Sequence, residues 1–118
     1  SLAVPTNQIC PTAVWSSAFN TVAGVTGSYS AAANRLTNPC DVVVDGYQNY
    51  YIVDSGSSRI MRFAPGSSSG SSGLVFAGYT AAGGSGLSEF DTPTAITLDV
   101  DGTMYILDNG NFRVVQWI

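Results

Sequence analysis

The chain has 118 residues, no Lys and no His, a net charge of -4 and only 10% charged residues, against about 25% in an average soluble domain. That length supports one hydrophobic core, and an acidic, Lys-free surface offers no attraction for phosphate backbones or acidic lipid headgroups, so neither nucleic acid nor membrane is an expected partner. Without His there is no Ser-His triad, Cys-His pair or His-based zinc cluster; the expectation is not an enzyme, with no cofactor and no metal.

Residues 1–19 read as a leader. It starts at Ser1 with no basic or apolar signal-like stretch, which fits a processed protein or an excerpt. It carries Cys10, which with Cys40 makes the whole cysteine complement. A disulfide between the two is expected, closing a loop that the chain-entropy model values at roughly 3–4 kcal/mol; the alternative is a pair of buried free thiols. The bridge, with the Ser/Thr-rich surface, points to an extracellular, secreted setting. The longest apolar run, Leu74 to Ala82, is interrupted by Gly78 and Thr80 and falls short of a membrane span.

From Pro11 onward the chain matches itself at a constant offset of 54 residues, Pro11 on Pro65 through Ala64 on Ile118. The match is strongest where Pro39, Asp45, Tyr51, Ile52, Asp54, Gly56 and Arg59 recur as Pro93, Asp99, Tyr105, Ile106, Asp108, Gly110 and Arg113. A period of this length is the signature of a repeat architecture. In chain order, Asn20, Thr21, Val22 and Ala23 form a leading outer strand. Gly27 to Asn38 is a loop, within which Ser30 to Leu36 can form one helical turn stopped by Pro39. First strands span Asp41–Asp45 and Ala95–Asp99, second strands Tyr50–Asp54 and Met104–Asp108, third strands Arg59–Phe63 and Arg113–Trp117. Between second and third strands the turns at Ser55-Gly56-Ser57 and Asn109-Gly110-Asn111 use Gly for its tolerance of positive φ. Pro65 to Gly73 has the composition of a flexible linker and leads to a fourth strand, Leu74–Ala77.

The run Pro39-x-x-Val42-Val-Val44-Asp45 followed by Tyr51-Ile-Val-Asp54-Ser-Gly56-x-x-Arg59-Ile60-x-x-Phe63 resembles an NHL repeat, and Pro93 to Trp117 resembles a second. Units of this long Gly/Ser-rich kind resemble tandem NHL arrays of secreted invertebrate and protist proteins. The resemblance implies an all-β fold of four-stranded β-propeller blades. It also implies a binding platform in place of an enzyme, although amidating lyases carry a metal-dependent site on a related propeller. Asp41 and Ala95 stand where the family usually has Gly, and Cys40 lies outside the motif. Residues 20–78 then hold the leading strand and the first blade, and 79–118 a second blade without its outer strand.

A three-stranded blade presents an open edge, and the spare strand is Asn20–Ala23. The chain is therefore expected to act as a structural or interaction module whose partner is itself, in a closed ring or a filament, or further blades of a longer chain. The competing reading is a carbohydrate- or peptide-binding propeller. Its glycan contacts would be loop tyrosines, Tyr47 and Tyr79 foremost with Tyr29 and Tyr50, together with the turn pairs Asp54/Arg59 and Asp108/Arg113, for which a structural role is the simpler reading. Asp99-Val-Asp101-Gly102 reads as a β-turn and not as a calcium loop, since the following ligands and the closing Glu are absent; the lesser alternative is a cation site lined by Asp45 and Asp99 at the ends of the first strands.

Overall fold

The computed structural model describes residues 18–78, 83–86 and 88–118. The fold is all-β. Strands β1 (Pro39–Val44), β2 (Tyr50–Asp54), β3 (Arg59–Phe63) and β4 (Leu74–Ala77) form a first antiparallel sheet in that order. Strands β5 (Pro93–Leu98), β6 (Met104–Asp108) and β7 (Arg113–Trp117) form a second. Each is a meander of short strands joined by tight turns, apart from the longer connection 64–73 between β3 and β4, the arrangement that Val/Ile-rich runs punctuated by Gly, Asn and Asp dictate.

Register repeats with sequence. Ile52 lies opposite Val42 and Met61, and Ile106 opposite Ile96 and Val115. Because side chains alternate along a strand, this register sends Val43, Tyr51, Val53 and Ile60 to one face of the first sheet and Ile52, Met61 and Phe63 to the other. The first of these faces meets the second sheet, where Tyr51, Val53, Ile60, Ile96, Met104 and Ile106 form the main core with Phe90. Burial of such side chains contributes about 1.5–3 kcal/mol each, which makes this contact between sheets the chief stabilising element. A smaller core of Ile52, Met61 and Phe63 on the opposite face is covered by Ala23 and Leu36.

Several local expectations are corrected. β1 and β5 begin at Pro39 and Pro93, before Asp41 and Ala95, with a register shift just after each proline. Proline is tolerated as the first residue of a strand, where its missing N–H costs no ladder bond. Asp45 and Asp99 fall outside the strands because their N–H groups close the turns onto Asn49 O and Thr103 O. The turns after β2 and β6 are single 3-10 turns, Ser55–Ser57 and Asn109–Asn111, whose left-handed residue is Ser58 (φ 52°) or Phe112 (φ 54°) instead of a glycine. Gly56 and Gly110 serve close approach. A Cβ would sit 2.5 Å from Thr37 Cγ2 at the first and 2.5 Å from Asp91 O at the second.

Of the expected helical turn at Ser30–Leu36 the structure keeps a single turn, closed by Arg35 N–H to Ala32 O (3.1 Å), while the Ala31, Ala32 and Arg35 carbonyls also accept from the Arg59 guanidinium. Asn20–Ala23 forms no strand within the chain and pairs with none of the strands among the described residues. Pro65–Gly73, read as flexible, is tied to the leading loop by Gly70 N–H to Gly24 O (3.0 Å) and Gly73 N–H to Ala33 O (2.8 Å). Cys40 carries an exposed free thiol that donates to Asn38 O. The expected disulfide is not seen, and Cys10 lies outside the described residues, as does Tyr79.

Candidate functional site

The Asp/Arg turns are built on the same plan in the two sheets, with an extra bond from Asn111 Nδ2 to Asp108 Oδ2 (2.9 Å) in the second. Asp54 Oδ1 accepts Thr37 N–H (2.6 Å) while Oδ2 accepts Arg59 Nε (2.7 Å). In the second sheet, Asp108 Oδ1 accepts Asp91 N–H (2.7 Å) and Oδ2 accepts Arg113 Nε (2.8 Å). Gly56 N–H and Gly110 N–H complete each clasp by donating to Thr37 O and Asp91 O. The remaining guanidinium donors of Arg59 go to Ala31, Ala32 and Arg35 carbonyls, and those of Arg113 to Ser85, Gly86 and Glu89 carbonyls. Each arginine thus fastens an entire upstream loop to the tip of its own hairpin. The planar fork of donors suits this task, since one side chain satisfies several loop carbonyls at once.

Burial separates the two clasps. Asp54 and Arg59 are fully buried, as is Asp108, whereas the Arg113 side chain is 31% exposed. With every acceptor and donor directed at the protein, the Asp54/Arg59 pair presents no group to a ligand.

Asp45 and Asp99 organise the turns after β1 and β5. Asp45 Oδ1 accepts the N–H groups of Tyr47 and Asn49, and Oδ2 accepts Asn49 Nδ2 and the Tyr51 hydroxyl. Asp99 repeats the pattern with Asp101, Thr103 and Tyr105. Burial pushes the Asp45 carboxyl up, but these four hydrogen bonds outweigh it and hold the group at about 2, below its ordinary 3.8. Tyr51 is pushed up by burial and by the neighbouring Asp45 carboxylate. A folded carboxyl below its unfolded value adds stability that is complete above the unfolded pKa and lost as pH falls through the folded one. Wild-type protein is therefore expected to lose thermal midpoint more steeply than Asp45→Asn between pH 4 and pH 2, as followed by circular dichroism; parallel curves would rule out this linkage.

Between these turns lies a cleft of about 800 Å³ whose walls include Tyr51, Phe76, Leu98 and Met104, with Tyr47 and Asp99 at the rim. Of the tyrosines considered for stacking, Tyr47 and Tyr29 are exposed and Tyr50 is half-buried against the smaller core. Among the described residues no three or more His, Cys, Asp or Glu side chains converge as metal ligands.

The most open surface is the outer side of the second sheet. β3 pairs with β2 and β4, but β7 pairs with β6 alone among the described residues. The adjoining face bears Leu107 and Val114, both exposed, where the corresponding Val53 and Ile60 of the first sheet are fully buried. The open edge has a sequence signal, since no counterpart of Leu74–Ala77 stands after β7 in these 118 residues; the exposure of the face and the difference in burial between Arg59 and Arg113 have none. Comparison with protein-family models finds no match to this chain, and neither does comparison with curated proteins.

Proposed function

We propose that the chain is a non-catalytic structural and interaction module that assembles head-to-tail, in the manner of NHL-like blades, by offering Asn20–Ala23 as the outer strand for the open edge of β7 in the next copy or blade. The observation that carries this reading is the edge of β7, unpaired among the described residues, together with a leading segment that repeats β4 in sequence. An exposed edge is a row of unpaired N–H and C=O groups that templates strand addition.

Placement of the segment supports the register. Ala77, at the end of β4, and Phe90 pack with Ile106, Val115 and Trp117 of the second sheet. Ala23 and Leu36, 54 positions earlier, pack with Ile52, Met61 and Phe63 of the first. The leading segment thus stands against the first sheet as β4 stands against the second, lacking only a strand to pair with. A hollow of about 460 Å³ borders it, lined by Thr21, Ala23, Leu36 and Pro39. Since β4 pairs Ala77 with Ile60, Val75 with Met61 and Leu74 with Arg62, the added strand would place Ala23 opposite Val114, Thr21 opposite Val115 and Asn20 opposite Gln116.

Wild-type chain is expected to run above monomer mass in native mass spectrometry. Adjacent strand residues point their N–H groups to opposite sides, so the double variant Thr21→Pro/Val22→Pro removes an edge-facing donor whatever the alternation. It should weaken assembly by about tenfold or more, matching an orphaned backbone group at roughly 1–3 kcal/mol. A wild-type chain that is folded and monomeric at all concentrations would end this reading.

A further inference from the structure

We infer that the outer faces of the two sheets are halves of one interface, and that the partner seated on them is a second copy of this chain, sheet against sheet. The inference rests on the head-to-tail direction proposed above, and it assigns the faces in addition to the edge.

Within the chain, the first sheet contributes Val43, Tyr51, Val53 and Ile60 to the contact with the second. Adding 54 to each number gives Thr97, Tyr105, Leu107 and Val114, which share the outer face of the second sheet. The second sheet answers from the other side with Ile96, Leu98, Met104, Ile106, Val115 and Trp117. Subtracting 54 gives Val42, Val44, Tyr50, Ile52, Met61 and Phe63, which share the outer face of the first sheet; Val42 and Val44 are exposed there, while Ile52, Met61 and Phe63 lie under Ala23 and Leu36, as Ile106, Val115 and Trp117 lie against Ala77 and Phe90 in the internal contact. The molecule therefore displays a socket at one end and its matching plug at the other, each a near copy of a surface it already joins internally. Val114 is 65% exposed where Ile60 is 0%, and Val42 is 52% exposed where Ile96 is 6%. The replacements keep apolar bulk at nearly every position, the kind of swap that packed cores tolerate.

Polar groups agree with the same contact. Inside the chain, Asp41 Oδ2 reaches across to the Ile96 N–H (3.0 Å), which would otherwise be orphaned between the sheets. In the contact between copies, Ala95 takes the place of Asp41 and Val42 the place of Ile96. The Val42 N–H is already held by Asp41 Oδ1 of its own chain at 2.8 Å. Covering this face leaves that donor satisfied with no carboxylate from the neighbour, so one aspartate serves both contacts. A head-to-tail contact of this kind is heterologous, each copy using a different surface for each neighbour.

Mixing two crippled copies tests the assignment. Val42→Asp spoils the socket and Val114→Asp the plug; both sites are exposed, so the fold should survive. By native mass spectrometry with one variant isotopically labelled, each alone is expected to be monomeric. An equimolar mixture should form a complex of one labelled and one unlabelled chain, with nothing larger, because its outer ends are both spoiled. Assembly of either variant alone at wild-type level would overturn the inference, as would a mixture that stays monomeric while circular dichroism shows both variants folded. If either variant fails to fold, Val44→Glu and Leu107→Glu repeat the test with the same expected pattern. Loss of assembly in Thr21→Pro/Val22→Pro but not in Val42→Asp would leave strand addition standing and remove the face contact. The opposite pair of results would keep the faces and remove the strand.

Discussion

Asp54→Ala is expected to lower the stability of the chain by about 3–5 kcal/mol, the usual consequence of removing one partner of a buried ion pair. The loss has two sources in the structure. Arg59 keeps a buried positive charge whose Nε no longer meets a carboxylate, and the Thr37 N–H loses its acceptor at the point where the upstream loop enters β1. Against a typical total of about 5–15 kcal/mol, such a change would leave a large fraction unfolded. Asp54→Asn should fall between wild type and alanine, because its amide oxygen can still accept from Thr37 while the charge is gone. Asp108→Ala is expected to be milder, at about 1–3 kcal/mol, since the partly exposed Arg113 can turn to water. Urea unfolding at fixed protein concentration measures all three, the concentration being held because assembly adds to apparent stability. The account fails if Asp54→Ala lies within 1 kcal/mol of wild type, or if Asp108→Ala costs more.

The bounds of β2, β3, β4, β6 and β7 are those that alternation and turn residues predict, because each strand is short and rich in β-branched or aromatic residues, and β2, β3, β4 and β6 are stopped by an Asp or a Gly-containing turn. What alternation cannot express is a partner far along the chain. The start of β1 depends on an Asp54 carboxylate 17 positions away, and the form of the Ser30–Leu36 turn on a guanidinium that reaches back 24 to 28 positions. A helical turn was a fair local reading of Ala31, Ala32 and Ala33. The structure keeps one turn of it, closed by Arg35 N–H to Ala32 O, and adds the Arg59 guanidinium as a second, charged donor to its carbonyls. Similarly, Ser58 and Phe112 take the left-handed backbone beside glycines that do not, because the close approach to Thr37 and Asp91 determines where a missing side chain is required. For the candidate interface the residues were legible and their exposure was not. Val42 and Ile96 are equivalent apolar strand positions in the sequence, and only the placement of the sheets shows that one is covered and the other open.

Gly78→Ala is the second substitution expected to have a large effect, about 2–5 kcal/mol. Gly78 follows β4 with φ +91°, a conformation that costs an L-residue roughly 1–2 kcal/mol. The site also lacks space. A Cβ would lie 2.8 Å from Phe90 Cδ2, 2.8 Å from Ser58 O and 3.1 Å from Arg59 Cα. Two of those neighbours are backbone atoms of the hairpin that the Asp54/Arg59 clasp fixes, and the third is a ring in the core between the sheets, packed 5.8 Å from Trp117 by centroid. None can withdraw cheaply, and overpacking of this kind adds about 1–3 kcal/mol. Gly102→Ala separates the two contributions. Gly102 has a similar φ of +84° but no atom within 4 Å of the added carbon, and Gln48 takes φ 70° at the same place in the first sheet. Its cost should be at most about 1–2 kcal/mol, the conformational part alone. Chemical denaturation of both variants is then expected to show Gly78→Ala the worse by a kcal/mol or more. Equal losses would mean that the Phe90 ring and the hairpin yield to the methyl group, and that the joint between the sheets is looser than its packing implies.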